Sequence, residues 1–266
     1  MKTLLLLFLS FGTLTTFGQD YRTEENIAYV EKAGSSYQRE QCLVDIYYPT
    51  SGEQRPVVVW YHGGGLTGGR KEIPEFLKNK GLVVVGVGYR FAPNVKVEDI
   101  ISDAAKAVSF VIKHAERYRI DRTKVFLSGH SAGGYLALML GLNKAYLHAE
   151  GIDADRLKGV ISFSGQAITH FTARKEQGIA EKQPTVGPLA PLYWVRSDAP
   201  PIVLLTGDRE KEMLGRYEEN AYLKRMLSIA GHNDVRLFEF QGYGHDMTYP
   251  GFPVLIDEIN RILKQE

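Results

Sequence analysis

The chain has 266 residues, enough for one large α/β domain or two small ones, and its 44% hydrophobic content can fill a substantial core. Its 32 Lys and Arg against 31 Asp and Glu leave a formal charge of +1 with no basic block, so electrostatics point to neither nucleic acid nor a membrane surface. A single cysteine, Cys42, excludes an intrachain disulfide and any cysteine-built metal site; in its apolar, strand-like setting it reads as a small buried hydrophobe.

The N-terminus carries a targeting pattern. Lys2 gives a positive start, Leu4 to Phe11 an apolar run, and Thr16-Phe17-Gly18 a small-residue end. The run is too short to span a bilayer. Residues 1–18 are read as a secretory signal cleaved near Gly18 or Gln19. That expectation puts the mature chain, 19–266, in the periplasm or outside the cell with no stable membrane insertion.

Past Asp20, polar and apolar residues alternate through Ile27, Tyr29 and Val30, and again from Gln41 to Tyr48 before Pro49. With Gly34 to Ser36 between them, these predict an opening antiparallel hairpin. Pro56 to Tyr61 is nearly all apolar, the mark of a strand covered on both faces, and runs directly into His62-Gly63-Gly64-Gly65. Ile73 to Lys80 predicts a short helix ended by Gly81, and Leu82 to Val87 another buried strand. After Tyr89-Arg90-Phe91-Ala92-Pro93, apolar residues from Ile100 to Ile112 line one face of a helix predicted over Val97 to Tyr118.

Val125 to Ser128 is a short buried strand, and Gly134 to Leu140 is rich in helix formers. Strands follow at Gly159 to Gly165, Pro201 to Thr206 and Val235 to Phe240, with helices at Glu218 to Ala230 and Pro253 to Leu263. This alternation predicts an α/β fold in one domain, a mostly parallel sheet with helices on both faces. Residues 166–198 interrupt it, mixing prolines and glycines with Phe171, Tyr193 and Trp194. An irregular stretch of this length is more often functional than idle.

Between the predicted strand and helix lies Gly129-His130-Ser131-Ala132-Gly133, a match to G-x-S-x-G. A sharp strand-to-helix turn leaves no room for side chains beside the nucleophile, which accounts for the two flanking glycines and lifts Ser131 into exposure. The following helix directs N–H groups and its positive dipole end at any oxyanion formed there. A serine hydroxyl needs a base, itself held by a carboxylate. Among the seven histidines, His245 has the best setting, a glycine-flanked loop, Gly242-Tyr243-Gly244-His245-Asp246, between the last strand and the last helix. The acid is expected after the strand Ile202 to Thr206, in Gly207-Asp208-Arg209-Glu210. The glycines after His62 let the main chain approach a developing oxyanion closely.

In this order of motifs the chain resembles the α/β-hydrolase family, and within it the esterase/lipase group close to hormone-sensitive lipase that carries an HGGG oxyanion loop. The residues concerned are His62 to Gly65, Tyr89 to Pro93, Gly129 to Gly133, Gly207 to Glu210 and Gly244-His245. The resemblance implies the α/β-hydrolase fold, with a short insertion before the acid-bearing strand. It implies Ser131 as nucleophile, His245 as base and the third residue after Gly207, Glu210, as acid, with Asp208 as the alternative. It implies an oxyanion hole of the Gly64, Gly65 and Ala132 amides, and no cofactor or metal. Little sequence precedes Ile27 to build the cap helices of many lipases. Secreted carbohydrate esterases that remove acetyl or feruloyl groups share this layout, and His62, Tyr193 and Trp194, with Phe171, are candidate pocket residues. The expected function is therefore a serine esterase acting on a small-molecule or carbohydrate ester. Two rivals stay open. One is a serine peptidase of the prolyl-oligopeptidase type, whose N-terminal propeller 266 residues cannot include; the other is a binding protein that keeps the fold without catalysis.

Overall fold

A computed structural model describes residues 20–213 and 215–265; the targeting segment at 1–18 lies outside the described residues. The elements run β1 (Tyr21–Ala28), α1 (Ser36–Gln41), β2 (Leu43–Pro49), β3 (Arg55–Tyr61), β4 (Val83–Val87), α2 (Val97–Lys113), β5 (Ile120–His130), α3 (Ala132–Leu142) and α4 (Lys144–Ala149). They continue with β6 (Gly159–Phe163), α5 (Phe171–Glu176), β7 (Ile202–Gly207), α6 (Arg216–Ile229), β8 (Val235–Phe240) and α7 (Thr248–Leu263). The strands form one eight-stranded sheet in the order β1-β2-β4-β3-β5-β6-β7-β8. The pairs β1–β2 and β2–β4 are antiparallel, and every later pair is parallel. This is the α/β-hydrolase architecture expected from the sequence.

The sheet is covered on both faces because its central strands are apolar at every position. Val57, Val59 and Tyr61 of β3 join the core beneath α2, α3 and α6, while Val58 and Trp60 join the opposite core beneath α7. Val83, Val85 and Val87 of β4 divide from Val84 in the same way. Successive side chains of a strand point to opposite faces, so a continuous apolar run serves two cores. Helix α3 is buried along its whole length, as a helix apolar all round must be. Cys42 is buried, as its surroundings implied, and burial pushes its thiol up to about 12.

Three local expectations are corrected. The link between β1 and β2 is not a bare turn but contains α1, capped by the Ser35 hydroxyl accepting from the Gln38 amide at 3.1 Å. The helix expected over Ile73 to Lys80 shrinks to a single 3₁₀ turn, Glu75–Leu77. Glu72 passes so close to β4 that a Cβ at Gly86 would lie 2.1 Å from its carbonyl oxygen, and Pro74 then fixes the backbone at the turn. The long helix ends at Lys113 rather than Tyr118.

The segment 166–198 crosses the C-terminal ends of the strands, where open α/β sheets place their sites. It contains α5 and a 3₁₀ turn at Pro191–Trp194. Its exit is pinned to α3 by Arg196, which donates to the Leu142 and Gly141 carbonyls at 3.1 and 2.8 Å.

Candidate active site

Ser131 sits between β5 and α3 with φ 56° and ψ −115°, a left-handed conformation that is costly for any residue with a Cβ. Its neighbours tolerate no side chain. A Cβ at Gly129 would stand 2.5 Å from the Tyr61 carbonyl oxygen, and one at Gly133 1.9 Å from the same atom. The elbow is thus pressed against the end of β3, and the two glycines exist because the backbones touch. The Ser131 amide donates to Phe163 at the end of β6, at 2.7 Å, which holds the turn from the other side.

His245 Nε2 lies 2.9 Å from Ser131 Oγ, and His245 Nδ1 lies 2.7 Å from Glu212 Oε1. The structure therefore brings Ser131 and His245 together but joins neither Glu210 nor Asp208 to them. Both expected acids are corrected in favour of Glu212, two residues further along. Asp208 accepts from the Glu210 amide at 2.9 Å and from the Gly242 amide at 2.8 Å, and its carbonyl accepts from the Lys211 and Glu212 amides. This Asx-type turn uses up the residues through Lys211 and leaves Glu210 exposed, so the first side chain to point back inward is Glu212.

The Glu212 side chain is 1% exposed. Its carboxylate also accepts from the Gly207 amide at 3.0 Å, the Met213 amide at 2.8 Å and the Ser164 hydroxyl at 2.6 Å. Burial pushes its pKa up, but the hydrogen bonds from His245, Ser164 and Met213 outweigh burial and hold it at about 2. Glu212 is charged at neutral pH.

Ser164 carries no motif, and only its place before Gly165 at a strand end could have marked it. It too has positive φ, 49°, and its hydroxyl, while donating to Glu212, lies 3.0 Å from His245 Nδ1. The imidazole N–H is shared between carboxylate and hydroxyl, which fixes the ring plane. Ser164→Ala is expected to lower kcat about tenfold, the worth of one such hydrogen bond, with KM little changed; steady-state kinetics on a p-nitrophenyl ester check it.

On the other side of the nucleophile, the loop after β3 turns back on itself. Gly64 and Gly65 have φ of 119° and 65°, and a Cβ at Gly64 would meet the Gly68 carbonyl oxygen at 2.1 Å. No hydrogen bond among the described residues engages either amide. Ala132, first residue of α3, has its N–H outside the helical ladder. A Cβ on Gly63 would lie 3.5 Å from that of Ser131, so the loop abuts the nucleophile.

His62 does not open into a pocket. It is buried, stacked on Tyr89 at 4.3 Å, with Nδ1 2.6 Å from the Gly63 carbonyl. Burial lowers its pKa to about 4, so it stands neutral as a brace under the loop. His130 is another brace: its Nε2 lies 2.8 Å from the carbonyl of His245 and ties that loop to the elbow. Of the expected aromatic wall, only Phe171 reaches the oxyanion loop, its ring 3.0 Å from where a Gly65 Cβ would be. Trp194 donates to the Pro188 carbonyl at 2.8 Å and packs on the core; Tyr193 is 54% exposed.

The family model described as BD-FAE matches residues 44–224. The chain is 27% identical over 176 residues to a probable isoprenylcysteine alpha-carbonyl methylesterase of Oryza sativa subsp. japonica, covering 59% of this chain and 41% of that one. It is 33% identical over 120 residues to a kynurenine formamidase of Salmo salar, covering 43% of this chain and 37% of that one. It thus spans about two fifths of the length of these relatives. Among solved structures, a truncated carbohydrate esterase from gut microbiota matches with TM-score 0.75 at 18% identity, over 92% of this chain and 97% of that one. Esterase B from Lactobacillus rhamnosis matches with TM-score 0.74 at 20% identity, over 92% and 88%. These two likenesses show the shared fold.

Proposed function

The chain belongs to the BD-FAE family of α/β-hydrolases, and from that premise we propose that it is a serine carboxylester hydrolase of short-chain or aryl esters, among them acetyl or feruloyl esters of carbohydrates. The observation that carries this reading is the unbroken chain of hydrogen bonds from Ser131 through His245 to Glu212. A protein that keeps the fold only for binding has no use for a buried, charged Glu212 aimed at an imidazole.

The steps follow from the atoms. A carboxylate only accepts, so the His245 proton sits on Nδ1 and the Nε2 lone pair faces the Ser131 hydroxyl. Ser131 Oγ attacks the ester carbonyl as His245 takes its proton, and Glu212 steadies the imidazolium that results. The amides of Gly64, Gly65 and Ala132 receive the oxyanion; loss of one such donor in comparable sites costs about 3 kcal/mol of barrier stabilisation. His245 then gives its proton to the leaving alkoxide, and water repeats the cycle on the acyl enzyme.

Phe171, close over the oxyanion loop, supports small or flat acyl groups. Tyr243 and Tyr249 on either side of His245, 43% and 78% exposed, offer flat faces for a sugar ring. Export, read from residues 1–18, suits an ester borne on a polymer outside the cell. Turnover of p-nitrophenyl acetate, butyrate and octanoate, with methyl ferulate and acetylated xylan alongside, tests the reading. The expected result is a preference for the short and aryl acyl groups. Inertness toward every ester in the series would overturn it.

A further inference from the structure

A groove of about 710 Å³ runs between α5 and the start of α6, lined on its apolar side by Ile168, Phe171, Pro184 and Met213. Phe171 lies against the oxyanion loop at Gly65 and Met213 follows Glu212, so the groove borders the loops that carry the site. Two guanidinium groups enter it, those of Arg174 and Arg216, on residues 5% and 3% exposed.

Their circumstances differ. Arg216 donates to the Ser164 carbonyl and lies 4.0 Å from Glu219, so its charge has partners. Arg174 is less well served: Glu219 and Glu181 attract it from a distance, but its guanidinium makes no hydrogen bond or contact salt bridge among the described residues, and its Nε is sealed from solvent. Glu219 attracts Arg174 but does not hydrogen-bond it, since that carboxylate accepts from the Ala167 amide at 3.1 Å and faces the Gln166 amide at 3.5 Å. The remaining charges of the groove, Glu181, Lys182 and Glu218, are exposed at its rim. His170 nearby adds no charge, since burial and then the two arginines hold its pKa well below the usual value.

A buried guanidinium with no hydrogen-bonded partner keeps a desolvation cost that an anion placed against it would offset. The planar fork matches a carboxylate. The groove as a whole holds three cationic and three anionic side chains, a balance that suits a single negative charge on an apolar body rather than a dianion. The geometry points to Arg174 as a carboxylate-binding subsite of the active site, so that preferred substrates are esters carrying a carboxylate. This rests on the ester hydrolase reading and names its substrate class.

The test uses matched pairs. 4-Acetoxybenzoate against its methyl ester places the carboxylate on the alcohol part; mono-p-nitrophenyl succinate against p-nitrophenyl butyrate places it on the acyl part. In one pair, kcat/KM should favour the acid about 10- to 100-fold, the range for a charge-assisted hydrogen bond. Arg174→Met should collapse that ratio toward one, and Arg174→Lys should restore part of it. The wild-type ratios decide the matter even if a variant fails to fold. Calorimetry of benzoate binding to the Ser131→Ala protein separates the two readings, because it needs no turnover. Benzoate affinity that falls at least tenfold with Arg174→Met supports the subsite even where no ester is hydrolysed. Neutral esters equal or better in both pairs, benzoate binding indifferent to Arg174, or tighter binding of inorganic phosphate than of benzoate would each overturn it.

Discussion

Ser131→Ala is expected to lower kcat for p-nitrophenyl acetate by 10⁵-fold or more, on the order found when a nucleophile is removed from such a triad. The substitution removes one oxygen and nothing else. Alanine keeps the Cβ, so the backbone at φ 56° is neither relieved nor further strained, and the neighbouring contacts of Gly129 and Gly133 with Tyr61 stay as they are. The melting temperature should stay within a few degrees of the parent protein. The activity that remains comes from the oxyanion amides acting on bound ester. Retention of more than about a hundredth of the parent turnover, far above what triad removal leaves, would remove Ser131 from its role.

Glu212→Gln is expected to lower kcat by on the order of 10⁴-fold, while Glu210→Gln leaves it within about twofold. The Glu212 carboxylate meets donors on every side: His245 Nδ1, the Ser164 hydroxyl and the amides of Gly207 and Met213. A glutamine amide turns an N–H₂ toward one of them, favours the opposite imidazole tautomer, and removes the charge that steadies imidazolium. Glu210 points into solvent and its loss disturbs nothing. The same pair differs in its response to acid. The folded pKa of Glu212, about 2, lies below its ordinary 4.5, so the unfolded chain binds the extra proton between those values. Its stabilisation is complete above 4.5 and fades as pH falls toward 2. The gap in melting temperature between the parent and Glu212→Gln should therefore narrow from pH 5 to pH 3. A constant gap would mean that Glu212 is not held ionised by its partners.

The displaced acid shows where sequence reading stops. The apolar runs of β3, β4 and β7, the glycines of the elbow and the loop holding His245 were legible because each is fixed by steric or hydrophobic demand on its own residues. Which carboxylate turns inward depends on how many residues a turn consumes. Asp208 binding the amides of Glu210 and Gly242 sets that number, and Gly242 lies 34 residues away in sequence. Ser164 and Arg174 were hidden for a related reason. A serine before a glycine and an arginine in a six-residue helix are ordinary until the fold shows one against Glu212 and the other buried without a hydrogen-bond partner. Tyr193 and Trp194 failed in the other direction: aromatic character in an insertion does not say whether a ring faces a ligand or its own core.

The wide spacing of the triad also governs when activity can arise during synthesis. His245 is 114 residues beyond Ser131, and its ring is placed only by the loop that follows β8, last to join the sheet's edge. Domains fold from the N-terminus as the chain emerges, and long-range pairings come slowest. A nascent chain halted before Val235 already contains the residues of the elbow and the oxyanion glycines but has no base to take the serine proton. In the proposed mechanism, full turnover therefore waits on the docking of the final strand and loop, and a partly made chain has no more than the residual activity expected of Ser131→Ala.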